Sequence, residues 1–163
     1  MPEPGEPDAV PAPRWLDDEE LAAWLPLVRV LTVLPQQLDR QLREQAGIKH
    51  VYYMIMVLLS EAPDRTLPLS ALAKGVGMIP SRLTHALGSL ESRGWTERLP
   101  SPTDRRVQLA RLTDAGMHAL EAAAPGHVAE VRRTVVDVLT RRDLQELRRI
   151  AGRIAAALEE VED

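Results

Sequence analysis

The 163-residue sequence contains no cysteine and no phenylalanine. Without cysteine there are no disulfides, thiolate metal sites, thiol nucleophiles or cysteine-based redox sensing, so any sensing is non-covalent or uses other residues. Aromatics are scarce, with only Trp15, Trp24, Tyr52, Tyr53 and Trp95 present. Leu, Val, Ile and Ala must therefore fill the core, which points to packed helices. The N-terminus has no apolar run like a signal peptide, and no stretch approaches the roughly 20 apolar residues that span a bilayer. These absences predict a cytoplasmic chain without a membrane partner. No Ser, His and acid spacing suggests catalysis, and "GVG" at Gly75 is a turn rather than a nucleotide loop. The histidines His50, His85, His118 and His127 form no i, i+4 pair on one helix face. Neither a metal nor a cofactor is expected.

What is present is ordinary for one soluble domain: 45% of residues are apolar and 27% charged. A net charge of −4 argues at first against a nucleic-acid partner. Its distribution argues the other way. Between Leu69 and Leu112 lie Lys74, Arg82, Arg93, Arg98, Arg105, Arg106 and Arg111 against Glu91, Glu97 and Asp104, a net of +4 that leaves −8 on the rest. Such asymmetry is expected when one module meets phosphate and the remainder does not, although a charge cluster is often a solvated face.

The opening "MPEPGEPDAVPAP" carries five prolines and three acids; residues 1–14 are expected to be a disordered tail. Leu21, Leu25, Val28, Leu31, Leu34, Leu38 and Leu42 then recur every three or four positions, predicting an amphipathic helix from Asp17 or Asp18 to near Gly47. Pro26 and Pro35 should kink or break it. "HVYYMIMVLLSEA" predicts a second, buried helix. After an "APDRTLP" loop, Ser70 is the expected cap of a short helix ended by Gly75 and Gly77, and Pro80 opens another that stops at Gly94. "WTERL" and "RVQLARL" are strand-like runs around the turn-rich "PSPTDR". Helix, turn, helix and hairpin in that order predict a mainly α fold with a small β-hairpin wing, a winged helix-turn-helix. Thr113 caps a long, bent helix interrupted at Pro125 and Gly126, and "TRRD" at Thr140–Asp143 is a capping box for the last one. There Leu144, Leu147, Ala151, Ile154, Leu158 and Val161 form a heptad-like seam, too apolar for a lone chain.

From about Trp15 onward the chain resembles the multiple-antibiotic-resistance regulator (MarR) family of bacterial transcription regulators. The match is most specific in "LSALAKGVGMIPSRLTHALGSLESRGWTERLPSPTDRRVQLARLTDAG", with the family's "LE-x-R-G" end of a recognition helix, a wing with "D-R-R" and the "L-T-x-A-G" helix start. This resemblance implies one domain over 15–163. Within it, dimerisation helices at 15–47 and 113–163 flank a DNA-binding module at 48–112. It also implies a homodimer on a pseudo-palindromic double-stranded operator, released by a small anionic or phenolic effector. Pro80 stands where many relatives carry a polar or basic residue, and the cysteine of the family's peroxide sensors is missing.

On the expected recognition helix, Leu83, Ala86, Leu87 and Leu90 face inward, so Ser81, His85, Gly88 and Ser92 face outward, with Arg82, Thr84 and Ser89 on the flanks. Ser81, Thr84 and His85 suit base edges, and Arg82 suits a phosphate. At the wing, Arg105 and Arg106 can reach a narrow minor groove. By the family pattern Asp104 braces Arg106. Arg98 and Arg111 add phosphate contacts from the strands. Tyr52 and Tyr53, with Trp24 and Met54, either line an effector pocket or are plain core. The function predicted is a ligand-responsive repressor and not an enzyme; the alternative is a winged-helix protein-interaction module without DNA binding.

Overall fold

A computed structural model describes residues 13–104 and 106–161. The expected tail at 1–14 falls outside the described residues except for its last two, as do Arg105 and the side chain of Val161. The chain divides into two compact units, Met1–Val33 and Leu34–Asp163.

The first unit consists of the start of α1 (Asp18–Ala46) and the residues before it. Asp17 and Glu20 cap α1 reciprocally: Glu20 N–H donates to Asp17 Oδ1 at 2.8 Å and Asp17 N–H to Glu20 Oε2 at 3.0 Å. Three acids in the first turn complement the helix dipole. Two expectations need correction. α1 is not broken at Pro26 or Pro35. Each proline leaves the carbonyl four residues earlier without its donor, but Ala22 and Leu31 are exposed and water can serve them. Nor is the chain without a long apolar stretch, since α1 is long and apolar enough, by length and composition, to cross a membrane. Arg29 and the prolines interrupt the run of letters, yet its average stays apolar.

The second unit holds the core. It contains the end of α1, then α2 (His50–Glu61), a single 3-10 turn at Pro63–Arg65 and β1 (Thr66–Pro68). α3 (Leu69–Val76), α4 (Pro80–Glu91), β2 (Thr96–Pro100) and β3 (Gln108–Leu112) follow. After them come α5 (Asp114–Val131), a π-helical segment Arg132–Val136 and α6 (Arg141–Val161). Leu42, Ile55, Met56, Leu59, Leu72, Leu87 and Leu90 are wholly buried around α2. Burying each such side chain contributes roughly 1.5–3 kcal/mol relative to exposure. The predicted fold class stands: a mostly helical chain with one small antiparallel sheet.

That sheet has a strand the sequence reading lacks. Thr66–Pro68 lies inside the expected "APDRTLP" loop, yet it pairs with β3 (Leu67 opposite Ala110), so the order is β1-β3-β2. Three residues are too few to show a period of two. β1 runs straight into α3, whose first residue is Leu69; Ser70 is therefore inside the helix and does not cap it. At the other end Gly77, at φ 63°, turns the chain toward α4 in the left-handed conformation that glycine adopts most cheaply.

Thr113 does cap α5, accepting from Gly116 N–H at 3.0 Å. α5 runs through Pro125 and Gly126, and the irregularity comes later, in the π-helical segment. Gly126 serves packing: a Cβ there would collide with the Gln45 side chain of α1. The Thr140–Asp143 box forms as predicted, with Thr140 N–H donating to Asp143 Oδ2 (2.9 Å) and Asp143 N–H to Thr140 Oγ1 (3.2 Å).

Candidate nucleic-acid interface

α4 starts at Pro80, where the missing N–H costs nothing and the fixed φ suits a first helical turn. Leu83, Ala86, Leu87 and Leu90 are buried, as their spacing predicts, and hold the opposite side of the helix toward solvent. Ser81, Arg82, Thr84 and His85 are all exposed at its N-terminal end, and Ser89 is half-buried.

Two hydroxyls on this helix bond back to its own backbone. Thr84 donates to the Pro80 carbonyl (2.9 Å) and Ser89 to the His85 carbonyl (3.3 Å). Thr84 is exposed, so with its hydrogen committed to the backbone it presents an acceptor oxygen outward. Such an acceptor matches the amino groups of adenine and cytosine in a major groove. Ser81 and His85 keep both options.

Beside the helix is a groove of about 310 Å³ lined by Lys49, Tyr52, Met78, Ser81, Arg82 and His85, among others. Lys49 is missed from sequence, because a lone lysine before a buried helix gives no signal. Its ammonium lies 5.3 Å from the centre of the Tyr52 ring. The Ser89 hydroxyl, then Lys49 and Arg93, draw the Tyr52 phenol below its ordinary range, against the effect of burial. Tyr52 thus belongs to the recognition-helix side of the molecule.

Tyr53 points elsewhere. Its ring is 4.4 Å from that of His127 on α5, which is itself 5.5 Å from His50. The two tyrosines, read from the sequence as either effector-pocket lining or plain core, diverge, because adjacent helical residues lie about 100° apart. Both are core residues, and Trp24 belongs to the other unit. Burial, then the neighbouring His50, lowers the His127 pKa; His50 is lowered by burial and partly restored by Asp39. Below the ordinary histidine value of 6.5 the unfolded chain therefore binds more protons than the native one at these positions. Stability is expected to fall as pH drops through the ordinary histidine value and on toward the lowered ones. His127→Gln should flatten the profile of urea midpoint against pH, and an unchanged slope would remove His127 as its source.

The wing tip spans residues 101–107, closed by Ser101 N–H donating to the Val107 carbonyl at 2.9 Å. Within it, Asp104 accepts from the Arg106 backbone N–H (2.9 Å), Nε (3.2 Å) and Nη2 (3.1 Å). These contacts, the side-chain ones first, hold the Asp104 carboxyl below its usual range. Arg106 remains almost fully exposed.

The basic face is thinner than the charge count suggests. Arg98 makes a two-pronged ion pair with Glu91, both contacts at 2.7 Å, and Arg111 pairs with Glu97, its partner across the strands. Neither strand arginine is the free cation expected from sequence. Among the described residues Arg82, Lys49 and Lys74 have no ion-pair partner, and Arg93 donates to the Gly47 carbonyl while stacking on Trp95. The described residues also bring no three metal-ligating side chains together.

Residues 48–107 match the MarR family. Sco3205, a MarR family transcriptional regulator from Streptomyces coelicolor solved in complex with DNA, is 44% identical, with a TM-score of 0.86 over 90% of this chain and 92% of that one. AbsC, a MarR family regulator from the same organism, is 35% identical, with a TM-score of 0.85 over 91% and 99%. The transcriptional repressor MprA of Escherichia coli (strain K12) is 26% identical over 125 residues, 76% of this chain and 69% of that protein.

Proposed function

The chain belongs to the MarR family of DNA-binding transcription regulators and is not an enzyme, and on that premise we propose a cytoplasmic, homodimeric repressor released from a pseudo-palindromic operator by a small-molecule effector. One observation carries this: the two-sidedness of α4, leucine-rich and buried inward, with Ser81, Arg82, Thr84 and His85 exposed together outward. Ser81, Thr84 and His85 meet base edges in the major groove, while Arg82 meets its phosphate walls. Arg106, braced by Asp104, enters the minor groove next to Arg105.

Homodimerisation is supported by apolar side chains left exposed on a single chain. Leu21, Trp24, Leu25, Val28 and Leu31 are exposed on α1, and Leu147, Ile150, Ile154 and Leu158 on α6. Helices within 15–47 and 113–163 pair with those of a second copy and flank the module at 48–112. The same pairing accounts for the membrane-like composition of α1 without a membrane. Repression follows the similar E. coli repressor.

Sedimentation combined with selection of bound sequences from random duplexes tests the proposal. A dimer is expected, on inverted half-sites roughly 34–36 Å apart. A monomer at micromolar concentration, or selected direct repeats, would overturn it. Release of the selected duplex by a panel of small anionic and phenolic compounds tests the effector.

A further inference from the structure

Ile79 is 59% exposed, the one exposed large hydrophobic residue between Leu34 and His127 among those described. It precedes α4 directly and occupies its N-cap, with φ −68° and ψ 148° and no side-chain cap hydrogen bond. An isoleucine there forgoes the cap hydrogen bond that Ser, Thr, Asp or Asn would supply, and leaves apolar surface in water as well. Two costs at one residue need an explanation outside the fold.

Its orientation is also fixed. A residue before proline is confined to extended conformations, and a β-branched side chain has few rotamers. The Ile79 carbonyl is held by the N–H groups of Arg82 (3.1 Å) and Leu83 (3.2 Å). The side chain is therefore a stiff apolar prong at the end of the helix that carries Ser81, Arg82 and His85. Phosphates and most base-edge atoms exposed in a major groove are polar. The exception is the 5-methyl group of thymine.

We propose that Ile79 reads one thymine in each half-site by packing against its 5-methyl group. This rests on α4 being the recognition helix, and adds a methyl contact to the hydrogen-bonding groups of Ser81, Thr84 and His85. Lys49 and Arg82, near the same end of α4, would hold the backbone while Ile79 discriminates.

The experiment uses the full-length protein, its selected duplex, and that duplex with each thymine replaced in turn by uracil, which removes only the methyl group. At one thymine per half-site the exchange should weaken wild-type binding about fourfold, the value of one buried methyl. The same exchange should leave Ile79→Ala binding unchanged. Ile79→Ala alone should relax selection at that position without altering thermal stability, since the side chain is exposed. If wild type and Ile79→Ala show the same uracil profile, or if Ile79→Ala loses affinity equally at all sequences, the methyl contact is overturned and α4 keeps its role. If random duplexes yield no preferred sequence at all, both fall.

Discussion

Gly116→Ala is expected to destabilise the protein by about 3 kcal/mol or more, lowering the thermal midpoint by roughly 6–12 °C. Gly116 lies in the first turn of α5, and a Cβ there would sit inside the van der Waals shell of the Trp95 carbonyl oxygen and within 2.7 Å of Leu112 Cδ1. That carbonyl cannot swing away, because it accepts the Thr113 N–H at 3.0 Å. Thr113 in turn donates its hydroxyl to the Gly94 carbonyl at 2.7 Å. Relief requires the start of α5 to part from the start of β2, which combines an overpacking cost with lost hydrogen bonds. Gly88→Ala is the control. It has open space around its Cβ within a helix, so it should stabilise by about 0.5–1 kcal/mol. Thermal melts by circular dichroism decide the matter; equal midpoints for Gly116→Ala and wild type would show that the junction yields.

Arg106→Ala is expected to weaken operator binding roughly tenfold to a hundredfold, the range for losing a charge-assisted contact. The slope of log affinity against log salt should shrink by about one unit per protomer. Asp104→Ala separates two accounts of the wing. It removes a negative charge close to DNA, so simple electrostatics predicts tighter binding. If the carboxylate instead fixes the guanidinium through the three contacts seen at the wing tip, binding should weaken despite the gain in net positive charge. The double mutant should then match Arg106→Ala. The lowered Asp104 pKa keeps the brace intact above the ordinary carboxylate value of 3.8, and it is lost only as pH falls through the lowered value. Assays near neutrality thus test the brace in its ionised form. Tighter binding by Asp104→Ala, with additive effects, would leave Arg106 an ordinary surface charge.

The α4 stripe was legible in the sequence because Leu83, Ala86, Leu87 and Leu90 state their period within a single helix. The Thr113 and Thr140 caps were legible for a similar reason, since donor and acceptor lie three residues apart. What escaped depends on contacts distant in sequence. Glu97 and Arg111 become neighbours only through the β2–β3 register, and Glu91 meets Arg98 only where α4 turns into β2. Lys49 reaches the groove beside α4 across 30 residues of chain, and nothing local marks it. Tyr52 and Tyr53 were grouped because they are adjacent, although adjacency on a helix sends side chains to different sides. Pro26, Pro35 and Pro125 were overweighted as breakers.

The short strand β1 has a consequence for binding. A two-stranded hairpin of five-residue strands is marginally stable in water, whereas three strands against helices are self-supporting. β1 joins the edge of β3 that β2 leaves free, so the root of the wing is in place before any duplex arrives. Ordering a loose hairpin during association would subtract conformational entropy from the affinity. Here that entropy is already spent in folding. Arg106 therefore projects from a pre-organised base, and the strength of its contact is decided at the seven-residue tip alone.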